Sequence, residues 1–307
     1  IPTEGVPFNF GASLPRTNLN TRDNRGFDLM LKHQGKVGAV SYEINPMISW
    51  ARGKYVSWDE NILPTEGVDA SVAAANALYN ARYARTGQWD DLQWGFNTTG
   101  FFTSQSQIDN HPIDADNAGN QTVIVGDLIF VDQNGDKKID GADRVILGDP
   151  FADFTYGITN RFGYKDFSLE IYIQGVQGIE NFSNLAAESL YPINKERNHL
   201  AIHYLDRWRT SNTDAVYPSG VNYTSYSDGT NKVNTYTVQD ASFMRIKNIT
   251  LNYNLPLDNI DFIKSGNVYI SGENLLTVAP DYIGFDPDGN SDGTGVSRAD
   301  FANYPLS

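Results

Sequence analysis

Residues 131–143 read VDQNGDKKIDGAD, and their oxygen-bearing side chains recur at intervals that suit a hard cation. With Asp132 as the first position of a loop, Asn134 stands third, Asp136 fifth, Lys138 seventh, Asp140 ninth and Asp143 twelfth. An EF-hand loop wraps one calcium ion with this spacing: alternate side chains turn inward, the seventh residue offers its carbonyl oxygen, and the twelfth closes the site. Ile139, in the eighth position, supplies the apolar anchor. Two departures matter. Lys137 takes the sixth place, where a left-handed backbone costs a non-glycine residue about 1 kcal/mol. Asp143 is one methylene shorter than the usual closing Glu. Both point to the weaker, extracellular range of calcium affinities, about 10⁻⁴–10⁻³ M. The other reading of the same residues is a metal-free, Asx-turn-rich loop, solvated and partly offset by Lys137, Lys138 and Arg144.

Other residues carry weaker chemistry. His199 and His203 lie one helical turn apart, as metal-binding pairs do, but lack the Glu of a zinc protease and any evident third ligand. Trp89, Trp94 and Trp208 fall in loop regions, where an aromatic platform stacks on sugar rings or, more often, packs the loop. No phosphate-cradling glycine loop, nucleophile elbow or Ser/His/Asp grouping is visible, so the sequence does not read as an enzyme. The net charge of −14 over 307 residues offers no basic patch for nucleic acid. The absence of cysteine removes disulfides, zinc thiolates and thiol nucleophiles together. No apolar run approaches the ~18 residues of a membrane helix. The opening IPTEGVPFNF has no basic and apolar leader, and reads as the start of a mature product or of a piece of something larger.

The elements that hold these residues read as strands. Alternation is clear in 27–31 and 42–50, cleaner in 154–164 and 167–174, and present again in 243–255 and 267–278. Phe154, Tyr156, Ile158, Phe162 and Tyr164 share one face, with Thr155, Thr159 and Arg161 on the other. Within each pair the turn is short, near Gly35, Lys165 and Asn259. The pairs themselves are separated by long stretches from about Gly53 to Ala152, from Gly175 to Ala241 and from Ala279 to Ser307. Short turns at one end and long loops at the other describe an outer-membrane barrel. The ten steps from Phe154 to Tyr164 cover about 33 Å, or roughly 25 Å at a tilt near 40°, which matches the apolar band of such barrels. A soluble β-sandwich that binds glycans and is stabilised by calcium fits the same alternation. Pro46 interrupts a strand and suggests a bulge. Helices are expected within 70–89 and 196–208, and a flexible acidic loop at 286–295.

The run GDLIFVDQNGDKKIDGADRVILGDPFADFTYGITNRFGYKDFSLEIYIQGVQG (126–178) resembles the SusC/RagA family of TonB-dependent outer-membrane transporters. NRGFDLML, WGFNTTGFFTSQSQID, ASFMRIKNITLNYNLP, NVYISGENLLTV, IGFDPDGN and YPLS are similar to further segments of that family. The resemblance implies the C-terminal part of a barrel over 1–307: about six antiparallel strands of a plugged barrel of about 22, with plug and last strand elsewhere. It also implies import of oligosaccharides or peptides, with a SusD-like surface lipoprotein and TonB as partners, in membrane lipid. The expected location is the outer membrane of a Gram-negative, Bacteroidota-like bacterium. On that orientation the loop Asp132–Asp143 lies outside the cell and fixes a long loop.

Overall fold

The computed structural model describes residues 20–58, 63–89, 92–183, 186–187, 201–220, 233–257, 265–283 and 286–288. The first strands are β1 (Thr21–Met30), β2 (His33–Val37) and β3 (Val40–Ser57), followed by the helix α1 (Ala70–Tyr83). A loop region then holds β4 (Gln93–Phe96), β5 (Thr98–Phe101), α2 (Gln105–Asp109), β6 (Leu128–Phe130) and β7 (Arg144–Gly148). Next come β8 (Phe154–Tyr164), β9 (Phe167–Gln177), β10 (Glu180–Phe182), α3 (Ala201–Leu205) and β11 (Val238–Asp240). The chain of described elements ends with β12 (Phe243–Asn254) and β13 (Asn267–Val278). It divides into two compact units, Ile1–Arg25 with Arg52–Asp90, and Gly26–Ala51 with Asp91–Ser307.

One antiparallel sheet dominates, in the order β1-β3-β8-β9-β12-β13, with β2 also on β3. It does not close among the described residues. Its register sorts side chains into rows that run from β2 through β3, β8, β9 and β12 to β13. Gly35, Tyr42, Phe162, Leu169, Leu251 and Ile270 are successive partners, and this row is apolar. The next row is Gln34, Glu43, Arg161, Glu170, Thr250 and Ser271, and it is polar throughout. Alternation visible within each strand is therefore kept in phase across the whole sheet, so one face is greasy and the other wet.

Among the described residues no protein layer lies over the greasy face. Tyr164 is 46% exposed, Phe167 48%, Leu251 42% and Ile270 72%. The buried apolar clusters lie in the loops instead, around Phe96, Leu128, Phe130 and Ile139, and around Phe102, Ile108 and Val123. A soluble sandwich would bury the sheet's own apolar rows, so that alternative is overturned. The chain folds as part of an antiparallel transmembrane barrel whose outer face meets hydrocarbon. Aromatic residues mark both ends of that face. Tyr164, Phe167 and Tyr253 are cross-strand partners at the short-turn end, with the Phe167 and Tyr253 rings 4.6 Å apart. At the other end Phe27 stacks on Trp50 at 6.0 Å, and Phe154 lies 6.2 Å from Tyr156.

Two expectations need correction. The first hairpin turns at Gly38, whose φ is +60°, rather than near Gly35. Nor does Pro46 create a bulge. It pairs with Ile158 in an unbroken β3–β8 ladder. Its missing N–H faces the gap between β1 and β2, where Leu31 N–H still donates to the Pro46 carbonyl at 3.0 Å. The break in pairing sits on the neighbouring strand, and no residue is inserted there.

Tyr156 lies flat over Gly175, its cross-strand partner, filling the space that a side chain would occupy. Replacing Gly175 with Val is expected to cost about 1–3 kcal/mol through overpacking. The check is the urea midpoint of the folded barrel, read by heat-modifiable mobility. The double change Gly175→Val with Tyr156→Ala should recover part of the loss.

Candidate functional site

The loop after β6 is built on an apolar base. Ile139 is 3% exposed and packs with Phe96, Leu128 and Phe130, which makes it the anchor its position suggests. Its N–H donates to the Asp114 carbonyl at 3.1 Å, and Asp114 N–H donates to the Lys137 carbonyl at 2.8 Å. The sixth and eighth loop positions are thus tied to a second segment, 114–122, by a short parallel bridge that sets Asp114 opposite Lys138.

Around that base the loop curls on its own backbone. Asp132 accepts from Gly135 N–H at 2.6 Å and from Lys137 N–H at 2.8 Å. Asn134 accepts from Asp136 N–H, and Asp136 from Lys138 N–H. Asp143 accepts from Gln133 N–H at 2.9 Å and Asp140 N–H at 2.8 Å, so the last position closes on the second and the ninth. Asp140 caps the 3-10 turn Gly141–Asp143. Lys137 has φ +67°, the left-handed backbone expected at the sixth position, and Gly135 has φ +80°. Among the described residues no three His, Cys, Asp or Glu side chains converge as a metal-binding group.

The two end carboxylates differ electrostatically. Asp143 is fully buried. Burial pushes its proton affinity up, the Asp140 and Gln133 N–H groups oppose that, and the charge of Asp132 adds to it. Desolvation acts the same way on Asp132, but the N–H donors of Lys137 and Gly135 outweigh it and hold that carboxyl below its ordinary value.

The companion segment has its own carboxylate nest. Asp116 accepts from Ala118 N–H at 2.8 Å, Asn120 N–H at 2.8 Å and Thr122 N–H at 2.6 Å. Burial raises its pKa, but Thr122, Ala118 and Asn120 together lower it from 3.8 to about 2. A carboxyl depressed on folding stabilises above its unfolded pKa, and the contribution fades as pH falls through the folded one. Amide protection at Ala118, Asn120 and Thr122 should therefore be constant above pH 4 and decline between about 4 and 2. In the Asp116→Asn variant it should be lower and independent of pH.

The remaining candidates separate. His203 is buried against Tyr217, whose ring lies 4.9 Å away, and His199 lies outside the described residues. The first described part of the second expected helix is α3. Trp208 is 5% exposed and Trp94 sits in β4 opposite Ile146, so both pack the loops. Trp89 keeps 36% exposure and lies beside Arg52.

Two polar assemblies escape a reading of the sequence. On the wet face Arg161 joins Glu43 at 2.9 Å and Glu170 at 2.6 Å, while Lys32 reaches Glu43 at 2.7 Å. Nearer the long loops, Arg245 is 2% exposed, stacks on Phe243 and pairs with Asp286 and Asp288. Of the flexible acidic loop expected over 286–295, Asp286 and Asp288 are held by Arg245. Residues 289–295 lie outside the described residues. In sequence Glu43, Arg161, Glu170 and Arg245 show only as charges in inward-facing strand positions, and Lys32, Asp286 and Asp288 lie outside the strands.

No protein-family model matches the chain. It is 28% identical over 295 residues to TonB-dependent receptor P26 of Formosa agariphila, covering 94% of this chain and 28% of that protein. It is 22% identical over 294 residues to TonB-dependent receptor SusC of Bacteroides thetaiotaomicron, covering 92% and 26%. In fold it is similar to a chain of the RagAB peptide transporter, with a TM-score of 0.60, 19% identity and coverage of 92% and 28%. The chain thus spans under a third of the length of each of these.

Proposed function

We infer that this chain is a portion of a SusC/RagA-type TonB-dependent receptor of the outer membrane in a Bacteroidota-like bacterium. The complete protein imports oligosaccharides or peptides, with a SusD-like surface lipoprotein as partner and energy delivered by TonB through a plug outside this chain. The observation that supports this best is the register itself. Among the described residues, rows of apolar side chains run in phase across a sheet with no protein layer on that face, backed by a charged inner wall, and a barrel in lipid suits both faces. The similarity to receptors named TonB-dependent agrees with it. The test is uptake by cells carrying the full-length receptor. Labelled oligosaccharide or peptide should enter, entry should stop in a strain lacking TonB, and a lipoprotein should co-purify. Uptake that persists without TonB would contradict the reading.

Calcium is the ion proposed for the loop. Its ligands would be Asp132, Asn134, Asp136, the Lys138 carbonyl, Asp140 and Asp143. The donor set fits: all are oxygens, and the backbone already has the left-handed sixth residue and buried eighth residue that such a loop needs. Asp132 and Asp143 each use two N–H contacts, and a carboxylate has lone pairs to spare for a cation. Bound calcium would supply positive charge beside Asp143, whose proton affinity the charge of Asp132 raises.

A further inference from the structure

On β3 the outward positions read Tyr42, Ile44, Pro46, Ile48 and Trp50, and the next two are Arg52 and Lys54. β1 shows the same change in reverse, with Asp23 and Arg25 preceding Phe27 and Leu29 on alternate positions. The face that meets hydrocarbon therefore becomes cationic within one pleat of its aromatic end. Two residues advance a strand by about 6.6 Å, or roughly 5 Å along the membrane normal at the usual tilt. That is about the depth of the lipid headgroup layer on one side.

The cations are assembled around an aromatic side chain. Residues 86–89 run along β3, with Gly87 N–H donating to the Tyr55 carbonyl at 2.7 Å and Tyr55 N–H to the Gln88 carbonyl at 3.0 Å. Trp89 is thereby placed opposite Lys54. The Arg52 guanidinium lies 4.5 Å from the centre of the Trp89 ring and the Lys54 ammonium 5.7 Å from it. Arg25, 79% exposed at its side chain, is held by Asp23 at 2.7 Å. These five residues line a depression of about 410 Å³. Three cations against one carboxylate stand out in a chain of net charge −14.

We propose that Arg25, Arg52 and Lys54, with Trp89, form a binding site for the phosphate groups of an outer-leaflet glycolipid. This rests on the outer-membrane reading given above. Its long-loop end faces outward, so these residues meet the outer leaflet. A cation on a lipid-side strand, just beyond the aromatic belt, is matched by anionic headgroups. Tryptophan favours the same layer. An acidic solute would have to approach along the side of the strand that carries Trp50 and Ile48, which favours lipid as the occupant.

The test is native mass spectrometry of the full-length receptor extracted from outer membranes in mild detergent. The comparison is with a triple variant carrying Arg25→Gln, Arg52→Gln and Lys54→Gln. Wild type should retain phosphorylated glycolipid, and the variant should lose it about tenfold while remaining a heat-modifiable barrel. Equal retention by both would overturn the proposal. If the variant does not fold, phosphatase treatment of the wild-type complex decides: release of lipid supports the site and unchanged retention overturns it. Soluble inositol hexakisphosphate bound at these residues, with no lipid retained, would also overturn it in favour of a solute site. A receptor absent from the outer-membrane fraction would instead sink the broader reading.

Discussion

Chelating calcium, or replacing Asp132 with Ala, is expected to raise tryptic cleavage after Lys137 and Lys138 about tenfold in the intact receptor. Asp132 organises the loop by accepting Gly135 and Lys137 N–H groups, and Asp143 closes it through Gln133 and Asp140. A loop of the weaker extracellular class, held at ten times its dissociation constant, gains about 1.4 kcal/mol from the ion, or about tenfold in the opening equilibrium. Removing Asp132 also orphans two N–H groups, so the variant should be cleaved quickly even with calcium present. Ile139 keeps the far side of the loop anchored, and cleavage should stay confined to the exposed lysines. Cleavage that is indifferent to EGTA in the wild type, yet faster in Asp132→Ala, would mean an Asx-turn loop without a metal.

Arg245→Ala should release Asp286–Asp288 from the inner face. The Arg245 side chain is 3% exposed and pairs with Asp286, which is 17% exposed, and with Asp288 at 3.4 Å. It also bonds the Thr277 hydroxyl at 2.9 Å. Breaking a buried ion pair by deleting one partner costs about 3–5 kcal/mol, and the lower figure applies because Asp288 is 42% exposed. About 3 kcal/mol is roughly a hundredfold in local opening, read by hydrogen exchange at Ile283 and Asp288. Secondary ties remain, from Ile283 N–H to Gln239 and from Ser183 to the Ile283 carbonyl, so Phe243 and β12 should keep their protection. Arg245→Lys should fall between, since an ammonium cannot fork to two carboxylates.

How far the fold could be read from sequence follows from the range of each interaction. Strands β8 and β9 were legible because each is eleven residues of alternation joined by a two-residue turn, and period two is a local property. The turn between them falls at Lys165 and Asp166 as expected, although Lys165 takes φ +50° without the glycine or asparagine that usually signals it. The long loops hide three small sheets, β4 with β7, β5 with β6 and β10 with β11. Their strands run three to five residues, too short for a period to show. The helix α1 was visible from its run of alanines. At the loop Asp132–Asp143 the backbone shape was readable, down to the left-handed sixth residue, because EF-hand spacing encodes turns and side-chain directions together. Its bridge to Asp114 was not. Nor was the Arg245–Asp286 pair, whose partners are 41 residues apart and meet only through tertiary contacts.

The measurement that bears most directly on the central claim is electron cryomicroscopy of the full-length receptor in detergent. The edges β1 and β13 should each continue into further paired strands of a closed barrel. Detergent should lie on the row through Tyr42, Phe162 and Leu251, with Arg161 and Glu170 facing a plugged lumen. A second protein layer packed on that apolar row, with no detergent belt, would contradict the account.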